Sequence, residues 1–190
     1  MTYLILDIET VPLEKKEYES REEDSERKKL LNPIDSRIVA IGIKKQGEET
    51  QVFMGSDEAE LLQKFWKEVA KHKSPSVKLV GFNVKDFDIP FLVTRSFINN
   101  VEIVPFLLKE IIDTREKLSA YKFGNVRGKL KEFAQFLNIR KVDMSGEDVA
   151  PIFWSGDLKR IEEYLRKDIE ITEALYQRIV RLKIDKIERW

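Results

Sequence analysis

Leu4-Ile5-Leu6-Asp7-Ile8-Glu9-Thr10 reads as a buried β-strand, apolar at nearly every position, into which two carboxylates are set. Residues two apart on a strand point to the same face, so Asp7 and Glu9 project side by side. Burying two like charges a few ångströms apart is costly unless a positive charge sits between them. The pair therefore asks for a cation, and its hard oxygen donors suit Mg²⁺ or Mn²⁺. The alternative is a strand end at the surface, where both acids are simply solvated.

The 190-residue chain is long enough to bury a sizeable core, and its 42% hydrophobic content suits a globular fold. Charged residues make up 36%, balanced at 34 basic and 34 acidic, so no global field attracts or repels polyanions. The chain contains no cysteine, which excludes disulfides, zinc knuckles and a thiol nucleophile. That composition, rich in Lys and Glu, fits a heat-adapted intracellular protein, and the expected location is cytoplasmic. No apolar run has the length of a membrane span, and the short run before Asp7 is not a signal peptide. The single histidine, His72 between Lys71 and Lys73, is expected at an exposed helix end with no catalytic role.

Beyond the first strand, residues 14–35 mix both charge signs with few apolar positions, a solvated helix or mobile excursion inserted between strands 1 and 2. Residues 37–43 and 51–54 read as the second and third strands, joined through Gln46-Gly47-Glu48, so the chain opens with an antiparallel meander. Asp57 can cap a helix whose Leu61, Leu62, Phe65, Trp66 and Val69 recur at helical spacing. Residues 77–83 read as a fourth strand, Ile89-Pro90 opens a helix, and Ile111 to Thr114 can form a short fifth strand. Helices over Leu130 to Leu137 and from about Leu158 to Leu182 complete the chain. A meander followed by alternating strands and helices predicts an α/β domain with a mixed five-stranded sheet flanked by helices.

Two further acidic positions stand out. Asp88 lies where strand 4 hands over to a helix, and an N-cap would account for it; Asn83 lies at the carboxyl end of that strand, where open α/β sheets bind ligands. Tyr164 and Asp168, four apart on the last helix, share one face beside the apolar stripe of Ile161, Leu165 and Ile169. Asp168 is either a site residue or a rim residue paired with Arg166 or Lys167.

In this order, Asp-Ile-Glu-Thr, Asn-x-x-x-Phe-Asp-x-Pro-Phe-Leu and Tyr-x-x-x-Asp resemble the motif set of the DEDD superfamily of 3′–5′ exonucleases. The second motif is most similar to the proofreading exonuclease domain of family B DNA polymerases. Tyr164, with Glu163 in the place where the other subclass has histidine, fits the tyrosine subclass. The resemblance spans residue 3 to about 180 and implies a ribonuclease H-like fold and a single exonuclease-like domain over 1–190, with 183–190 as a C-terminal tail. It implies that Asp7, Glu9, Asp88 and Asp168 hold two divalent ions, Mg²⁺ or Mn²⁺, that Asp7 bridges them, and that Tyr164 orients the attacking water. The implied activity is hydrolysis at the 3′ end of single-stranded DNA or RNA, releasing nucleoside monophosphates. No polymerase sequence follows in this chain.

Thr10 can place a hydroxyl or amide near the terminal nucleotide, Asn83 can contact sugar or base, and Phe87 can stack on a base or belong to the core, as Phe91 is expected to. Residues 115–141 carry eight basic residues, among them Lys122, Arg127, Lys129 and Lys131, against only Glu116 and Glu132. This segment either tracks a nucleic-acid backbone or is a solvated basic surface. Two other functions share the fold: a non-catalytic nucleic-acid- or protein-binding module, and a ribonuclease H-type endonuclease. The retention of all four carboxylates and Tyr164 argues against the first, and the second gives no reason for Tyr164.

Overall fold

Strand β1 (Thr2–Pro12) lies at the centre of a five-stranded sheet ordered β3-β2-β1-β4-β5. The computed structural model describes residues 2–72, 74, 77–122, 128–140 and 142–188. Strands β2 (Ser36–Lys45) and β3 (Gln51–Met54) run antiparallel in the expected meander, whereas β4 (Val77–Gly81) and β5 (Ile111–Asp113) continue the sheet in parallel from β1. The chain is thus α/β with a mixed sheet.

Alternation along β1 sorts its side chains to two cores. Leu4, Leu6 and Ile8 face α3 (Glu58–His72) and α4 (Asp88–Ile98), packing with Phe65, Trp66 and Phe91. Tyr3, Ile5 and Val11 face α7 (Gly146–Ser155) and the long α8 (Leu158–Arg181), packing with Ile161, Leu165 and Ile169. By the same parity Asp7 and Glu9 project toward α8. Opposite Asp7 on β2 stands Gly42. A Cβ there would lie 2.3 Å from Ile169 Cδ1 and 3.1 Å from Leu165 Cγ, so glycine permits the close approach of α8 to the sheet at the level of Asp7.

Several boundaries differ from the sequence reading. Residues 14–35 hold two short helices, α1 (Lys15–Ser20) and α2 (Asp24–Lys28), with no buried residue in either; the following Leu30 is buried. Strand β4 stops at Gly81, because Asn83 adopts a left-handed conformation (φ 58°). Helix α7 was not expected from periodicity, since Gly146 and Pro151 obscure it; its signal is Ser145, whose N–H and hydroxyl both bond to the Asp148 carboxylate. Short α5 (Thr114–Leu118) and α6 (Leu130–Phe136) bring the basic segment against α8. His72 ends α3 as expected but is half-buried, its Nε2 3.0 Å from Glu68 Oε1, rather than free at the surface.

Gly42→Val should overpack the β2–α8 contact and lower stability by about 1–3 kcal/mol. The midpoint of denaturant unfolding checks this, and an unchanged midpoint would show that α8 is not held so close.

Candidate active site

Three separate elements deliver the acidic side chains. Asp7 and Glu9 come from β1, Asp168 from α8, and each offers an oxygen such that all three lie within 4.8 Å of one another. Asp88, at the first turn of α4, is almost fully buried; its Oδ1 accepts the Ile8 N–H at 3.1 Å, and its carboxylate shares a hydrogen bond with Asp7. Asp88 therefore does not cap α4. The N-cap position is Phe87, and no side chain caps it. Asp168 is not a rim residue either: Arg166 pairs with Glu162 at 2.7 Å and Lys167 with Glu170 at 2.6 Å, leaving Asp168 turned inward and bonded to Tyr164.

Another buried acid, Asp113, organises the approach to Asp88 and is not singled out by the sequence. Its carboxylate accepts the N–H groups of Asn83, Lys85, Arg115 and Glu116, joining the β4–α4 turn to the start of α5. Burial still raises Asp113 above the usual carboxylate range, against the N–H bonds that favour its ionised form. The only hint in the sequence is an Asp directly before Thr-Arg-Glu at a helix start.

The electrostatics are those of a site short of positive charge. Burial, then the charges of Asp88, Glu9 and Asp168, raise Asp7 well above the usual carboxylate range. Glu9 is raised likewise, by burial and then by Asp168 and Asp88, with Lys131 opposing. Asp88 is pushed up to about 8, chiefly by burial, despite the backbone N–H bonds that favour its ionised form. Burial raises Asp168 to about 6 against the Tyr164 hydrogen bond and the Lys131 charge. Burial, followed by the charge of Asp168, also raises the Tyr164 phenol far above its ordinary value, so it stays protonated. Lys131, expected on a nucleic-acid track, instead reaches the site from α6: its Nζ stands 5.0 Å from the centroid of the Tyr164 ring. Hard oxygen donors, close together and repelling one another, fit a divalent cation.

The other expected contacts are more scattered. Thr10 is buried at a bulge between Glu9 and itself. The Asn83 Oδ1 accepts from Arg115 at 2.9 Å. Phe87 is half-buried against Phe91, which is core as expected, with ring centroids 4.8 Å apart. Lys122 and Lys129 are exposed, and Arg127 lies outside the described residues.

A family model described as RNase_H superfamily matches residues 24–180, most of the chain. The chain belongs to the ribonuclease H superfamily. Its β1 carboxylates precede the matched span. Over 165 residues the chain is 34% identical to the uncharacterized protein MJ0365 of Methanocaldococcus jannaschii, covering 79% of this chain and 89% of that protein. Its fold also matches the family B DNA polymerase from the hyperthermophilic archaeon Pyrobaculum calidifontis, with a TM-score of 0.73 and 17% identity. That match covers 98% of this chain and 25% of the polymerase, and at such identity it establishes the shared fold alone.

Carboxylates with raised values bind more protons folded than unfolded, so without metal the protein loses stability as pH rises from the ordinary carboxylate range through about 6 for Asp168 and about 8 for Asp88. Melting curves in chelator should therefore fall between these limits, and Mg²⁺ or Mn²⁺ should restore more at the upper end than at the lower. Asp168→Asn should raise the chelator-treated melting temperature at the upper limit and diminish the metal-induced gain. A gain that is independent of pH and of Asp168 would contradict the site.

Proposed function

We propose that this chain is a metal-dependent 3′–5′ exonuclease of the DEDD tyrosine subclass, acting on single-stranded DNA or RNA ends and releasing nucleoside monophosphates. The observation that carries it is the meeting of Asp7, Glu9, Asp88 and Asp168, from elements far apart in sequence, beside a protonated Tyr164. Such a nuclease reading agrees with ribonuclease H superfamily membership. The cysteine-free composition suits work inside the cell, in the cytoplasm.

Asp7, Glu9, Asp88 and Asp168 would hold two Mg²⁺ or Mn²⁺ ions. Bound ions supply Lewis acidity and neutralise the carboxylates, which alone would repel a phosphodiester anion. The side chains then have distinct tasks in cleaving the bond between phosphorus and the 3′ oxygen of the penultimate nucleotide. Tyr164 keeps its proton and acts as a positioning group for the incoming water, because so weak an acid is no base near neutrality. Lys131 opposes the protonation of Glu9 and Asp168 and presents a cation to the phosphate. Exposed Lys129, at the start of α6, would meet the backbone of the strand farther out.

The test is release of mononucleotides from a single strand labelled within its chain, with metal and with chelator. Asp7→Ala should lower the rate by about a thousandfold or more, the equivalent of several kcal/mol of charge stabilisation. Tyr164→Phe should cost about a hundredfold in kcat with KM little changed. Lys131→Met should lower kcat, whereas Lys129→Glu should weaken strand binding and flatten its salt dependence. An intact strand under every divalent metal tried would exclude catalysis and leave the binding module; cutting within a circular strand would favour an endonuclease.

A further inference from the structure

Helix α1 meets α7 through aromatic rings, and α2 meets Tyr18 of α1 through Arg27. The Tyr18 ring meets Trp154 edge-on with centroids 5.2 Å apart, Lys15 Nζ stands 5.8 Å from the Trp154 ring, and the Arg27 guanidinium stands 5.1 Å from that of Tyr18. Both rings are only half-buried. Beside them opens a cleft of about 270 Å³ bounded by Trp154, Tyr18, Pro151, Ser155 and the Lys15–Glu19 pair. Tyr18 also forms part of the wall of a narrower cleft that reaches Thr10, the neighbour of Glu9 on β1. Tyr18 is thus common to both clefts, and the narrower one runs from it to the end of β1, one residue beyond Glu9.

Rings flanked by cations suit the bases and phosphates of a single strand, since every base has a face to stack and every linkage an anion to meet. Lys15 pairs with Glu19 at 3.6 Å and, near Thr10, Lys28 pairs with Glu147 at 2.8 Å, both pairs exposed. Exposed pairs of this kind contribute little and exchange readily for a phosphate. We propose that the Trp154–Tyr18 cleft is a second subsite for the single-stranded substrate, in which a base upstream of the 3′ end stacks on Trp154. It rests on the nuclease reading above, and it assigns the inserted residues 14–35 the task of building one wall of the strand's path.

The test compares affinities of two lengths of oligothymidylate, a trinucleotide and a strand of about twelve nucleotides, by fluorescence anisotropy. Hydrolysis is blocked in all proteins by Asp168→Asn. Trp154→Ala should weaken the longer strand about tenfold and the trinucleotide less than about twofold, because only the longer one reaches the cleft. Trp154→Phe, which keeps a stacking face, should retain most of the affinity, and Lys15→Glu should weaken the longer strand and reduce its salt slope. Equal losses for both lengths, or none, would overturn the subsite. If Trp154→Ala does not fold, as judged by its melting curve, an unchanged longer-strand affinity in Lys15→Glu overturns it instead. Because binding is read without cleavage, a wild-type protein that cuts nothing would sink the nuclease reading and leave this length dependence standing or falling separately.

Discussion

Mutual repulsion among buried carboxylates is the constraint on which the rest of the structure turns. Asp7, Glu9 and Asp168 are held with oxygens within 4.8 Å, with Asp88 bonded to Asp7, in a fold that could have kept them apart. A protein bears such a cost only where surrounding contacts enforce the geometry. Here the enforcers are visible: Gly42 lets α8 approach the sheet, the Ile8 N–H anchors Asp88, and Asp113 collects four backbone donors to fix the turn before α4. Lys131 is too little positive charge to balance four acids, which leaves room for bound cations.

The arrangement also explains why the acids differ in how readily they ionise. Asp88 is the more deeply buried and feels the charge of Asp113, whereas Tyr164 and Lys131 relieve Asp168, so the two resist ionisation to different degrees. Burial first, and then the charge of Asp168 beside it, disfavour the Tyr164 phenolate, so the ring keeps its proton and acts only through hydrogen bonds. The electrostatics of the site thus follow from burying several acids together more than from any single special residue.

Much of this was legible in the sequence, because its signals were local. Period two along β1 placed Asp7 and Glu9 together, and the four-residue spacing on α8 placed Tyr164 beside Asp168. The five strands and the order of the long helices followed from apolar periodicity. What could not be read were choices made by tertiary contact. Asp88 has the spacing of a cap, yet its partner is an N–H eighty residues away. Lys131 has the composition of a charged patch, yet α6 carries it to Tyr164. Helix α7 is hidden by Pro151 and Gly146, and with it went the Trp154 face.

The central claim, that these four carboxylates exist to hold cations, is tested most directly by anomalous scattering from crystals soaked in Mn²⁺. The account predicts strong anomalous density enclosed by Asp7, Glu9 and Asp168, with Asp88 turned toward it. Density at other surface acids alone, with these four side chains splayed apart, would contradict it.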